Sequence, residues 1–167
     1  MDNLTNQIWK IKDKLYRFSL RITGNTAEAE DVVQEVYLKV WDKRHDMEEV
    51  RNPEAWCMTL TRNLSLDKIK SKHKRTDDIS EAYSLSDQSI NPGVKTEIND
   101  AMTRIKNMMN ELPEKQKMVM HLRDIEQMSY EEIVEALDMP MNQVKVNLHR
   151  ARTTIRERML TAENYGL

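Results

Sequence analysis

Residues 129–158 read SYEEIVEALDMPMNQVKVNLHRARTTIRER, two helix patterns separated by a few turn-like residues. Ser129 followed three positions later by Glu132 is a capping box, in which side chain and backbone satisfy each other's free donors at a helix start. Tyr130, Ile133, Val134 and Leu137 then form one apolar stripe. Asp138-Met139-Pro140 interrupts it, and Pro140 suits the entry to a second helix because it cannot continue the first. Val144, Leu148, Ala151, Ile155 and Met159 recur at helical spacing, while Lys145, His149, Arg150, Arg152 and Arg156 lie off that face. A short helix, a tight turn and a longer helix with its bases outward fit a helix-turn-helix, whose second helix enters the DNA major groove. A helical hairpin with a solvated charged face fits the same pattern.

The totals set the limits. Of the 167 residues, 39% are hydrophobic and 32% charged, which points to helices with wet faces; three Gly and four Pro are too few for an all-β fold rich in turns. The formal charge of −2 would not single out a nucleic-acid binder, so the distribution of charge has to carry that reading. Cys57 is the only cysteine, which excludes an internal disulfide and a cysteine-rich zinc site. No apolar run approaches the roughly 18 residues of a membrane span, and MDNLTNQIWK lacks the pattern of a secretory leader, so a cytoplasmic location is expected.

Upstream, the periodicity predicts a helix over residues 4–23, ended by Gly24-Asn25, with Thr26 capping a second helix over 27–42. Ala29, Val32, Val33, Val36, Tyr37 and Val40 form the core side of that helix; Asp31, Gln34, Glu35, Leu38 and Asp42 share the other, as a solvated face or a partner surface. Asn52-Pro53 opens a third helix to about residue 72, whose second half is strongly basic. Bases near Trp56 suit a phosphate backbone and a stacked nucleobase; Trp56 in the core and lysines complementing the helix dipole suit the sequence equally. Residues 76–97 turn acidic and lose apolar periodicity, as a linker does. From Ile98 the helical pattern resumes, with Leu112-Pro113 opening a helix that turns Met118, Val119 and Leu122 inward. The expected architecture is all-α, two small helical domains: a three-helix unit over residues 4–75, the acidic linker over 76–97 and a four-helix unit with the helix-turn-helix over 98–160.

Catalytic signatures are missing. The four histidines are scattered, and there is no glycine-rich phosphate loop, GxSxG turn or HExxH pair. The sequence therefore reads as a binding protein, not an enzyme, with no metal or cofactor and no small-molecule substrate.

Five motifs in order carry a resemblance: LYRFSLRITGN at 15–25, AEDVVQEVYLKVW at 29–41, AWCMTLTRNLSLDKIK at 55–70, LPEKQKMV at 112–119 and SYEEIVEALDMPMNQVKVNLHRAR at 129–152. Together they resemble the extracytoplasmic-function (ECF) group of bacterial sigma factors, within the sigma-70 family, over about residues 8–160. That resemblance implies a non-enzymatic subunit that gives core RNA polymerase its promoter specificity, commonly under an anti-sigma factor that is often membrane-bound. It places the contact with the β′ clamp helices on Asp31, Val32, Gln34, Glu35 and Trp41. It places melting and reading of the minus-ten element on Arg62, Asn63, Asp67, Lys68 and Lys70, and duplex minus-thirty-five recognition on Met141, Asn142, Gln143, Lys145, Val146, His149, Arg150 and Arg152, with Arg152 better suited to phosphate or to packing. The second domain is also expected to meet the β flap. The chain departs from the family where Asn142-Gln143 replace a usual Gly-Thr and Val146-Asn147 a usual Ser-Arg, and Asp138 stands where a glycine often ends the first helix of the motif. An autonomous helix-turn-helix regulator, or an enzyme acting on nucleic acid, are the competing classes; the basic end of the third helix and the missing catalytic cluster weigh against them.

Overall fold

The computed structural model describes residues 3–77 and 97–164; the acidic stretch read as a linker lies, over 78–96, outside the described residues. The fold is all-α, with eight α-helices and two short helical turns among the described residues.

The first half holds α1 (Asn3–Lys10), α2 (Lys12–Thr23), α3 (Thr26–Asp42) and α4 (Pro53–Asp77). The single helix expected over 4–23 is two. At Ile11 the backbone leaves the helix (φ −97°, ψ 3°), and its N–H bonds Ile8 O at 3.1 Å in a tighter turn. The apolar register survives the break, and Ile8, Ile11, Leu15 and Phe18 are all buried. Gly24 takes the left-handed conformation (φ 66°) and returns its N–H to Leu20 O at 2.9 Å. Asn25, not the expected Thr26, caps α3: its backbone is extended and its Oδ1 accepts from Glu28 N at 2.9 Å, whereas Thr26 is already inside the helix. Ala29, Val32, Val33, Val36 and Val40 then face α2 and α4. Asn52 Oδ1 accepts from Ala55 N at 3.0 Å and so caps α4 ahead of Pro53. Cys57 and Met58 join this core, and burial pushes the Cys57 thiol up to about 12. Two hydroxyls buried between α2 and α4, Ser19 and Ser65, satisfy each other at 2.9 Å.

The second half holds α5 (Glu97–Asn110), α6 (Glu114–Met120), α7 (Tyr130–Leu137) and α8 (Met141–Asn164). A wide π turn over His121–Ile125 extends α6, with Glu126 N bonding His121 O at 3.1 Å; Gln127 (φ 59°) then reverses the chain. The capping box on α7 is present in full: Glu132 N donates to Ser129 Oγ at 3.2 Å and Ser129 N to Glu132 Oε2 at 2.7 Å. Asp138 (φ 48°, ψ 52°) ends α7 in the left-handed region without a glycine. Val119, Leu122, Ile133, Ala136, Val144, Leu148, Ala151 and Ile155 close this core.

The halves pack on each other. α4 lies against α7, and α2 against α6 and the π turn. Nothing in the hydrophobic periodicity indicates this contact, because its bonds join residues far apart in the sequence.

Candidate nucleic-acid and partner interfaces

α8 is held by its apolar stripe, which leaves Asn142, Gln143, Lys145, Val146, His149 and Arg150 exposed on one continuous side, with Met141 half-buried at the entry. Val146 is 46% exposed, open enough for an apolar contact outside the protein. Asn147 turns back instead: its Nδ2 donates to Gln143 O at 2.9 Å. Arg152 is engaged by Asp124, Nε to Oδ2 at 3.1 Å, and that carboxylate raises the guanidinium pKa further. Two cations meet the ring of Tyr130, Arg123 at 4.7 Å and Lys145 at 5.8 Å from its centre. Tyr130 thereby ties the first helix of the motif to the exposed base of the second. Sequence reading missed Arg123, which sits in the connector and reaches the ring only through the π turn.

On α4, Arg62 Nε and Nη2 both donate to Asn63 Oδ1, at 3.1 and 2.9 Å, leaving the amide N–H groups of the exposed Asn63 facing out of that pair. Asp67 and Lys70 are exposed; Lys68 reaches Asp31 of α3 at 3.3 Å. Trp56 is half-buried against the core. Asn52, Trp56, Thr59 and Asn63 share one helical face, and its first part meets α7. Asn52 Nδ2 donates to Glu132 Oε1 at 3.2 Å, and Thr59 Oγ1 lies 3.3 Å from Glu135 O.

On α3, Asp31, Gln34 and Trp41 are exposed and Glu35 is half-exposed, 3.7 Å from Lys39. Val32 corrects the sequence reading: it is fully buried, so it builds the helix's inner face and offers nothing to a partner. Leu38, read from the sequence as part of the outer face, is 66% exposed, and the structure adds Trp9 (62%) on α1 beside Tyr37 at 6.2 Å between ring centres. With Ile8, Gln34, Tyr37, Val40, Trp41 and Arg44 around it, Leu38 lines an apolar groove of about 420 Å³. The acidic stripe therefore has an apolar rim, a combination suited to a protein partner with a basic, partly apolar surface.

A charged cluster joins the halves. Arg17 of α2 grips Glu126 with two parallel bonds, Nε–Oε1 at 2.8 Å and Nη2–Oε2 at 2.7 Å, while the Glu126 side chain is 1% exposed. Burial acts to raise the Glu126 carboxyl, but the Arg17 and His121 contacts prevail and hold it at about 2. His121 stacks on Phe18 at 5.6 Å with its Nε2 3.2 Å from Glu126 Oε1, off the hydrogen-bonding line; neither ring nitrogen has a hydrogen-bond partner. Burial pushes this imidazole down, helped by Arg21 and Arg17 and opposed by Glu126. Among the described residues no group of three His, Cys, Asp or Glu is placed to hold a metal ion.

The Sigma-70 region 2 family model matches residues 10–75, and the Sigma-70, region 4 model matches residues 102–155. The chain is 31% identical over 158 residues to the ECF RNA polymerase sigma factor SigL of Mycobacterium tuberculosis, covering 92% of this chain and 85% of that protein. It is 28% identical over 157 residues to the ECF RNA polymerase sigma factor SigW of Bacillus subtilis, covering 89% and 84%. Among solved structures it resembles the sigma factor RpoE in complex with the anti-sigma factor NepR from Bartonella quintana (TM-score 0.79, 21% identity, 94% of this chain and 96% of that one). It also resembles CnrH in complex with the cytosolic domain of CnrY (TM-score 0.67, 16% identity, 95% and 88%). At these identities the two structures speak for the fold.

Proposed function

The chain belongs to the ECF group of the sigma-70 family, and on that premise we propose how its surfaces divide the work of starting transcription. It is a sigma factor, giving core RNA polymerase its promoter recognition and DNA opening. The observation that carries the division is the charge sorting on a chain of net −2: acid with an apolar rim on α3, base on the outer side of α8 and along α4.

Asp31, Gln34, Glu35 and Trp41 dock on the β′ clamp helices, with Leu38 and Trp9 extending the contact. Arg62, Asn63, Asp67, Lys68 and Lys70 hold the melted minus-ten strand, where an unstacked base can be read by its edge and its face. Lys145, Val146, His149 and Arg150, entered through Met141, Asn142 and Gln143, read the minus-thirty-five duplex in the major groove: Lys145 and Arg150 by hydrogen bonds to purine edges or phosphates, Val146 against a thymine methyl. Arg152, held by Asp124, orients the helix. The second half also meets the β flap.

An anti-sigma factor regulates the chain by covering these surfaces, as the assemblies named for the RpoE and CnrH structures suggest. No described helix is long and apolar enough to cross a membrane; the protein works in the cytoplasm, where polymerase and DNA are, and catalyses no reaction of its own.

The test is reconstitution. Chain plus core polymerase should start transcription at a defined promoter while either alone does not, and mapping of start sites after overproduction should reveal both elements upstream. Failure to bind core polymerase, or to start transcription with it, sinks the assignment.

A further inference from the structure

α8 has a centre and two flanks. At about 100° per residue, the side opposite the buried stripe of Val144, Leu148, Ala151 and Ile155 runs through Asn142, Val146 and His149. Lys145 and Arg152 stand about a quarter turn away, on the flank that faces α7 and the π turn. A helix seated in the major groove turns its centre to base edges and its flanks to the sugar–phosphate walls. The place of Lys145 on the helix therefore suits a phosphate better than a base.

The π turn fastens this flank at two points. Its Asp124 holds Arg152, Nε to Oδ2 at 3.1 Å, and offsets that charge. Its Arg123 donates from Nη1 to Met128 O at 2.6 Å and lies 4.7 Å from the centre of the Tyr130 ring. A guanidinium bonded to the backbone just ahead of α7, and stacked on the first residue of that helix, leaves the half-buried ring little freedom. The Lys145 ammonium comes to 5.8 Å from the centre of the same ring, within the range of cation–π attraction. Two cations gathered at one ring raise the local positive potential, which a phosphate lowers. A lysine stem is flexible, and a ring that holds it before DNA arrives reduces the ordering cost of the contact.

We propose that Tyr130, steadied by Arg123, is the positioning residue for Lys145, holding its ammonium at the edge of the recognition helix for one backbone phosphate of the minus-thirty-five duplex. The proposal rests on the sigma-factor reading and narrows it. Lys145 supplies affinity and register, and the choice of bases falls to Asn142, Val146, His149 and Arg150.

Duplex binding by the holoenzyme, measured against salt on promoters carrying each base change in the minus-thirty-five element, tests this. Lys145→Ala should weaken binding several-fold, by the same factor on every promoter, and lower the slope of log affinity against log salt by about one. Tyr130→Leu should reproduce that loss; Tyr130→Phe, which keeps the ring, should not. In the Lys145→Ala background Tyr130→Leu should add less than about a twofold loss, whereas a residue that merely supports the fold lowers affinity in both backgrounds. Arg123→Gln should give a smaller loss that also disappears with Lys145. Additive losses from Tyr130→Leu and Lys145→Ala overturn the proposal, as does a Lys145→Ala protein whose base preference changes at one position. The seat is also read on the chain alone. The ring should displace the Lys145 ε-methylene proton signals upfield in NMR spectra, and Tyr130→Leu should return them; undisplaced signals in the wild type overturn it. If the wild-type holoenzyme binds no promoter duplex, the sigma-factor reading fails instead, and the methylene signals still decide whether Tyr130 seats Lys145.

Discussion

α3 and α8 are built alike, and the proposed function gives them different partners. Each buries a continuous apolar stripe, Val32–Val36–Val40 in one and Val144–Leu148–Ala151–Ile155 in the other, and each leaves its opposite side wet. The outer sides differ in two respects. α3 is acidic and keeps Leu38 (66% exposed) and the aromatic Trp41 (56%) in the open beside its acids; α8 is basic, and among its exposed bases it keeps only Val146 open, with Leu160 exposed further along the helix. Burial says only that both are amphipathic helices. The sign of the charge together with the apolar rim separates a protein-docking face from a DNA-reading one, because polyanionic duplex rewards cations while a protein surface also rewards desolvated aromatics.

The comparison breaks first at Trp41. Trp41→Ala should leave the fold intact, since the ring is mostly exposed, yet weaken core-polymerase affinity by about 2 kcal/mol, roughly 30-fold; an unchanged dissociation constant would make the rim ornamental. On the other helix, Arg150→Ala should cost about 1–2 kcal/mol in minus-thirty-five binding by the holoenzyme and flatten the salt dependence, with core binding unaffected. If core binding falls instead, the two faces are not specialised.

Acid titration sharpens the contrast between these exposed faces and the buried contact joining the halves. Glu126 sits at about 2 against an ordinary 4.5, so its contribution is complete above 4.5 and lost as pH falls toward 2. His121 is depressed below its ordinary 6.5, chiefly by burial, so the unfolded chain takes up a proton first as pH drops through 6.5. Arg17 and Arg21 around it oppose that proton and Glu126 favours it. Both groups give the same sign: the contact between the halves should weaken on acidification and be firmest above neutral. Thermal stability against pH should fall below about 6.5, and Glu126→Gln should remove the fall at the acid end; a flat profile contradicts the assignment. The smallest effect belongs to Arg152→Ala, whose half-exposed pair with Asp124 contributes about 0.5 kcal/mol. It should shift the thermal midpoint by a degree or two and change promoter selectivity little; a changed base preference would make Arg152 a reader.

Local signals were legible in the chain. The capping box at Ser129–Glu132, the Asn52-Pro53 entry and the stop at Gly24 each involve residues within a few positions, so spacing reports them. Where two neighbours compete, spacing decides less: Asn25 and Thr26 are both good caps, and the choice fell to the residue whose backbone is extended. Of the candidate site, the exposed bases of α8 and the acids of α3 followed from periodicity. Val32 did not, because one motif position can serve the core or the surface and only packing separates them. The Arg17–Glu126 contact joins residues 109 positions apart and is polar, so no hydrophobic period and no local motif encodes it. Trp9 came beside Tyr37 only through the fold of α1 onto α3.

Cys57 has a consequence of another kind. Its side chain is fully buried and burial pushes its thiol up to about 12, so at neutral pH the reactive thiolate is scarce. Peroxide, alkylating reagents and disulfide exchange all act through that thiolate. The folded chain is therefore blind to the thiol redox state around it, and an oxidative signal carried by cysteine chemistry has to be received by some other molecule.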